Sequence, residues 1–129
     1  MNGKYLADTS VLVELIRGSL QLAFPPETEL IVCVIAVGEL YYGALISGRP
    51  EHNLQQLKQF LSSYPILHTD ESVAAVYAEL KRALKQGGTP IPENDLWMAA
   101  FATTHQLPLL TRDSHFQHVA KLGVQVIFI

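Results

Sequence analysis

The sequence has 129 residues, of which 49% are hydrophobic, a size and composition suited to one folded domain. Its formal net charge of −3 argues against a protein that coats nucleic acid through general electrostatic attraction, although a local basic groove is compatible with it. The longest unbroken apolar stretch, Leu30–Val37, is too short to cross a bilayer, and the N-terminus does not resemble a secretory signal.

Strand and helix patterns alternate along the whole chain. In the first half, the predicted elements are a strand over Lys4–Ala7, a helix from Ser10 to Gly18, a strand over Leu30–Val34, a helix over Ala36–Ile46 and a helix from near Arg49–Pro50 through Leu61. In the second half they are a strand over Pro65–Leu67, a helix from Asp70 or Ser72 to Gly87–Gly88, a helix from Asn94 or Asp95, a strand over Leu109–Thr111, a helix over Ser114–Leu122 and a strand over Val124–Ile129.

The order of these elements indicates the fold class. Strands that alternate with helices imply right-handed crossovers and a parallel sheet covered by helices on both faces. The wholly apolar stretch Leu30–Val34 is typical of a strand in such a sheet. We therefore predict an α/β fold, a three-layer α/β/α sandwich with a mainly parallel sheet of about five strands, formed by residues 1–129 as a single domain.

Four acidic residues stand out by their positions. Asp8 follows the first strand and Asp113 follows the fourth, so both belong at the carboxyl edge of a parallel sheet, where functional crevices form. Asp95 opens a helix, and Glu39 is the only charge on an otherwise apolar helix. Each Asp has an alternative role as a helix cap, and Glu39 has one as a solvent-facing side chain. Capping does not explain Glu39, because it lies in mid-helix.

A cluster of these acids predicts a bound cation. Two carboxylates about 5 Å apart repel by roughly 3 kcal/mol at an effective dielectric of about 20, and several such pairs approach the stability of a small domain. Retained protons or a divalent ion must relieve that repulsion, and an all-oxygen ligand set favours Mg²⁺ or Mn²⁺. The hydroxyls of Thr9, Ser10 and Thr111 lie beside the acids in sequence and are candidates to orient them or to hold a metal-bound water, although a helix cap is the favoured role of Ser10.

Four segments of the chain resemble the motifs of a known family. They are Leu6–Leu12, Gly38–Gly43, Pro92–Ala100 and Thr111–Phe116. In order, spacing and flanking residues they are similar to the four motifs of the PIN-domain ribonucleases, specifically the VapC-type toxins of bacterial toxin–antitoxin pairs. The first motif alone has little specificity, whereas the four together are specific and span almost the whole chain.

The resemblance implies a function and a set of partners. It implies a Mg²⁺- or Mn²⁺-dependent endoribonuclease whose catalytic and metal-binding residues are Asp8, Glu39, Asp95 and Asp113. It also implies an RNA substrate, a homodimer that packs through Tyr- and Leu-rich helical faces, and inhibition by a cognate antitoxin that inserts a segment near the acids. The single cysteine, Cys33, excludes an internal disulfide and fits a reducing, cytoplasmic location.

Other residues have two interpretations each. His115 is the histidine nearest to the acids in sequence, either as a substrate contact or as a first-turn helix residue, and no His/Cys pattern predicts a zinc site. Trp97 suits core packing or stacking on a base. The basic group Lys81, Arg82 and Lys85 suits a solvated helix face or an RNA contact.

Two other functions are compatible with the same residues. One is a non-catalytic module that uses the acids for metal-dependent binding of RNA or protein. The other is a receiver- or phosphatase-like phosphoryl-transfer domain with Asp8 as the covalent acceptor. That second alternative requires a lysine near the acids, and none lies close to them in sequence.

Overall fold

The computed structural model describes residues 3–20 and 24–129 of the chain. Its strands are β1 (Lys4–Ala7), β2 (Glu29–Cys33), β3 (Ile66–Leu67), β4 (Leu109–Thr111) and β5 (Val126–Phe128). Its helices are α1 (Thr9–Arg17), α2 (Val34–Leu45), α3 (Pro50–Leu61), α4 (Glu71–Gln86), α5 (Glu93–Thr104) and α6 (Gln117–Ala120), with a 3₁₀ turn over Ser114–Phe116 before α6.

The five strands form one parallel sheet in the order β3-β2-β1-β4-β5. β1 lies at the centre, where Leu6 is in register with Ile31 on one side and Leu109 on the other. The predicted α/β fold with a parallel sheet of about five strands is therefore confirmed. Because β1 and β4 are neighbours, the residues that follow them emerge side by side at the carboxyl edge.

The core lies on both faces of this sheet. Consecutive residues of β1, Tyr5 and Leu6, are both buried although their side chains point to opposite faces. Helix α5 packs against α4 and buries Met98 and Phe101 completely. Burial on this scale fixes the start of α5, and hence Asp95, relative to the sheet.

Several predicted boundaries differ from the structure for physical reasons. α2 begins at Val34, two residues before the prediction, because packing of its first turn outweighs the strand preference of its β-branched residues. Pro65 lies outside β3, since a proline has no N–H to donate, although its carbonyl accepts a 3.0 Å hydrogen bond from the amide of Val32. β5 is shorter than predicted and begins at Val126.

The helix predicted over Ser114–Leu122 is divided and ends at Ala120. Its first part is a 3₁₀ turn, in which the side chain of Asp113 accepts a 2.9 Å hydrogen bond from the amide of His115. The prediction of a single domain over residues 1–129 stays a prediction, because residues 1–2 and 21–23 lie outside the described part. In the described ranges, no helix is long and apolar enough to cross a membrane.

Candidate active site

The sheet topology explains where the four predicted acids lie. Asp8 follows β1 directly, and Asp113 lies two residues beyond the end of β4. Asp95 is in the first turn of α5, a helix that runs back from the carboxyl edge of the sheet to the start of β4. Glu39 is in the middle of α2, which begins where β2 ends. Four separate parts of the sequence therefore contribute to one edge.

Asp8 is the most buried of the acids, with 3% of its surface exposed. Its Oδ2 accepts hydrogen bonds of 2.8 Å from the hydroxyls of Ser10 and Thr111. Burial raises the pKa of Asp8 above its ordinary value, the two hydroxyls and the amide of Thr9 lower it, and the charge of Asp113 raises it again. The net result is a raised pKa, because desolvation is the largest of these effects.

Two hydroxyls join the ends of β1 and β4. The Thr111 Oγ1 that donates to Asp8 also accepts a 2.9 Å hydrogen bond from the amide of Asp113. Ser10 Oγ likewise accepts a 3.0 Å bond from the amide of Arg112. Ser10 therefore lies inside α1 and orients Asp8, and its predicted role as the cap of that helix is wrong.

Glu39 is held by the residue next to Asp8. Its Oε1 accepts a 2.8 Å hydrogen bond from the hydroxyl of Thr9, which is 30 residues away in sequence. Thr9 and Ser10 thus point to different carboxylates, and the first turn of α1 connects Asp8 to the acid of α2. The supporting roles predicted for Thr9 and Thr111 have these contacts as their structural basis.

Asp95 experiences the other three acids most strongly. Burial first, and then the charges of Asp8, Asp113 and Glu39, raise the pKa of Asp95 from 3.8 to about 6. The side chain of His115 lowers it only in part. The other three acids therefore all lie within electrostatic range of Asp95.

His115 belongs to this cluster, and sequence reasoning assigned it too little weight. Its Nδ1 lies 3.1 Å from Oδ1 of Asp113 and 3.5 Å from Oδ2 of Asp95. One ligand atom from each of these three residues lies within 4.8 Å of the others. The only sequence signal for this contact was that His115 follows Asp113 by two residues. A turn can place side chains at that spacing on the same side of the backbone.

An open cleft of about 600 Å³ lies against Glu39, one of the four acids. Both Thr9 and Glu39 line it, together with Gly38, Tyr42 and Asn94.

Two of the other residues considered as RNA contacts, Trp97 and Lys81, interact with neighbouring side chains of the protein. Trp97 stacks on Tyr77 with 4.0 Å between ring centroids, and Lys81 forms a 2.7 Å ion pair with Glu93.

The chain matches the PIN domain family over residues 5–122. It therefore belongs to the PIN-domain family. Ribonuclease VapC2 of Haemophilus influenzae is 35% identical to it over 95% of this chain and 96% of the relative. Ribonuclease VapC4 of Mycobacterium tuberculosis is 34% identical over 96% and 95%, respectively. These relatives show that, within the family, the chain falls in the VapC group.

Solved structures agree with this assignment. VapBC-5 from Mycobacterium tuberculosis, a member of the VapBC family of toxin–antitoxin systems, superimposes with a TM-score of 0.78 at 26% identity over 98% of each chain. DNA-bound VapBC from Salmonella typhimurium superimposes with a TM-score of 0.85 over 97% of each chain. The latter is 23% identical and supports the fold alone.

Proposed function

We propose that this protein is a metal-dependent endoribonuclease that hydrolyses phosphodiester bonds of RNA and acts as the toxin of a toxin–antitoxin pair. The observation that carries the proposal is the position of Asp95, where burial and then the charges of Asp8, Asp113 and Glu39 raise its pKa to about 6. Membership of the VapC group supports the reaction class, because its relatives are named ribonucleases.

The donor set fits a hard divalent ion. Asp8, Glu39, Asp95 and Asp113 offer only oxygen atoms, the ligands that Mg²⁺ and Mn²⁺ prefer. Burial and the repulsion from the other three acids both raise the pKa of Asp95, and a bound cation would relieve that repulsion. When bound, such an ion supplies positive charge that stabilises the transition state of phosphodiester hydrolysis and makes water more acidic.

The protein's own part in the reaction is to hold the acids in place. Thr111 and Ser10 orient Asp8, and Thr9 orients Glu39, each through a hydrogen bond of 2.8 Å. Because these donors are already in position, little reorganisation is needed when substrate arrives. The cleft of about 600 Å³ beside Thr9 and Glu39 is the proposed binding place for the RNA.

A cleavage assay with isosteric variants tests the proposal. We expect Mn²⁺ or Mg²⁺ to support cleavage of single-stranded RNA, and Asp95→Asn to reduce the rate by at least about a hundredfold. Asp70→Asn is the matched control, since Asp70 caps α4 and is not among the charges that raise the pKa of Asp95, and Asn is an equally good cap. Retained cleavage by Asp95→Asn would refute the assigned site, and metal binding without any cleavage would favour the non-catalytic module.

The same purified protein tests the phosphoryl-transfer alternative. Oδ2 of Asp8 accepts hydrogen bonds from the hydroxyls of Ser10 and Thr111, and the side chain is nearly inaccessible to solvent. We therefore expect no covalent labelling of Asp8 by a small phosphodonor such as acetyl phosphate. A phosphorylated Asp8 peptide in the mass spectrum would replace the nuclease assignment with the phosphoryl-transfer one.

A groove on the surface supports the proposed antitoxin partner. A groove of about 310 Å³ between α1, α2 and α3 is lined by Val13, Leu40, Leu57 and also Glu39, so a segment bound there reaches the acids. We propose that this groove receives the cognate antitoxin, whose addition should inhibit RNA cleavage. The product of a small neighbouring gene is the candidate to test.

The proposed homodimer is supported by exposed apolar side chains on α2. Tyr42, Leu45 and Ile46 are all exposed at the end of this helix, where a second copy of the chain would cover them. We expect Ile46→Asp to convert the dimer to a monomer in sedimentation experiments. Gln59→Asp, at an exposed position on α3, is the control and should remain dimeric.

A further inference from the structure

We propose that His115 provides a nitrogen ligand to a divalent ion held by Asp95 and Asp113, so that this part of the cluster prefers Mn²⁺ to Mg²⁺. The inference rests on the proposed metal-dependent site. It adds to that site a ligand outside the set of four acids and gives the two candidate ions different affinities.

The distances among the three side chains match those between neighbouring ligands of one ion. Ligands with bonds of about 2.1 Å lie roughly 3.0 Å apart in an octahedron and roughly 3.4 Å apart in a tetrahedron. His115 Nδ1 lies 3.1 Å from Asp113 Oδ1 and 3.5 Å from Asp95 Oδ2. One atom from each residue lies within 4.8 Å of the others, so all three side chains are close enough to approach the same ion.

The local structure fixes His115 toward the acids. Its backbone amide donates a 2.9 Å hydrogen bond to Asp113 Oδ1, the same oxygen that its ring approaches. The next residue, Phe116, is fully buried and anchors the turn in the core. Side-chain exposure rises from 13% at Asp95 through 34% at Asp113 to 54% at His115, which places the imidazole on the solvent side of the cluster.

An imidazole changes which ion the site prefers. Mg²⁺ binds oxygen ligands and retains much of its water, whereas first-row transition ions accept nitrogen ligands readily. Replacing one oxygen ligand or water by Nδ1 therefore strengthens Mn²⁺ binding relative to Mg²⁺. A histidine that only paired with the two acids would instead compete with either ion, and its removal would strengthen the binding of both.

Manganese binding measured by electron paramagnetic resonance separates these cases. We expect the wild-type protein with Mn²⁺ to show the nitrogen coupling of a coordinated imidazole, and His115→Gln to lose it. His115→Gln should bind Mn²⁺ roughly tenfold more weakly, while its Mg²⁺ affinity, measured by competition, changes by less than about threefold. His52→Gln, at an exposed position on α3, should retain both the coupling and the affinity.

The other outcomes overturn the inference. Nitrogen coupling that persists in His115→Gln assigns the ligand to another residue, and equal changes in Mn²⁺ and Mg²⁺ affinity remove the selectivity. Tight Mn²⁺ binding without nitrogen coupling in the wild type overturns the role of His115 but leaves the four-acid site intact. Absence of Mn²⁺ binding overturns the site itself. Melting curves without metal verify that each variant is folded.

Discussion

The hydroxyl of Thr111 donates a 2.8 Å hydrogen bond to Oδ2 of Asp8, although the two residues lie 103 positions apart. Both side chains are buried, and each lies at the carboxyl end of one of the two central strands. The same Thr111 oxygen accepts the amide of Asp113. One hydroxyl therefore joins the carboxylate beyond β1 to the backbone beyond β4.

Thr111→Val should destabilise the protein by about 1–3 kcal/mol at neutral pH. The substitution keeps the shape of the side chain but removes a donor to the buried Asp8 carboxylate and the acceptor of the Asp113 amide. Urea unfolding of the metal-free protein measures the effect.

Thr103→Val is the matched control for that experiment. Thr103 is exposed, and its hydroxyl donates to the carbonyl of Ala99 within the same helix. We expect a change within about 0.5 kcal/mol for this variant. Equal losses for the two variants would show that the contact between Thr111 and Asp8 contributes no special stability.

Asp95→Asn should stabilise the metal-free protein in a pH-dependent way. The pKa of Asp95 is raised from 3.8 to about 6 in the folded state, so ionisation of this group costs folding free energy. The difference in unfolding free energy between variant and wild type should be near zero below pH 3.8 and grow as the pH rises to about 6. It should then level off on the order of 1–2 kcal/mol, after a discount for solvent screening.

Chemical denaturation across this pH range measures the prediction. Asp70→Asn makes the same chemical change at an exposed helix cap and should follow the wild-type curve. If the Asp95→Asn and wild-type curves ran parallel with pH, the acids would not repel one another as the structure indicates.

Divalent ions should raise the melting temperature of the wild-type protein. A ligand at a hundred times its dissociation constant stabilises the folded state by about 2.7 kcal/mol if it does not bind the unfolded chain. Asp95→Asn should lose most of this increment, whereas Asp70→Asn should keep it. An increment that survives in Asp95→Asn would place the bound ion elsewhere.

Cys33 should be unreactive in the folded protein. Its side chain is completely buried, and burial raises the pKa of its thiol from 9.0 to about 11, so the reactive thiolate is scarce at neutral pH. We expect labelling by a disulfide reagent only after unfolding in urea. Rapid labelling under native conditions would mean that β2 opens readily to solvent.

Local patterns were sufficient to predict most of the elements. β4 matches its predicted range, Leu109–Thr111, residue for residue, because apolar residues and flanking turns define it sharply. The convergence of Asp8 and Asp113 followed from the parallel topology alone. The start of α2 could not be predicted, since Val34 and Ile35 favour strands locally and only packing against the rest of the fold makes them helical.

The finer arrangement of the site depends on contacts that no local pattern encodes. The bond from Thr9 to Glu39 depends on how α1 docks against α2, and the approach of His115 to Asp95 depends on how the 3₁₀ turn meets α5. The sequence predicted an ordinary helix over Ser114–Leu122. Such a helix gave no reason to expect the side chain of His115 to approach both Asp95 and Asp113. Tertiary packing determines these details, so residue spacing alone cannot provide them.

The pairing of β1 with β4 has a consequence for protein synthesis. A nascent chain that has left the ribosome only as far as α5 carries Asp8, Glu39 and Asp95, but it has neither Thr111 nor Asp113. Without β4, the central strand lacks one of its two neighbours and the Asp8 carboxylate lacks one of its two hydroxyl donors. The complete acid cluster of the proposed nuclease therefore forms only after the residues beyond α5, about the last fifth of the polypeptide, have been made and β4 has paired with the first strand.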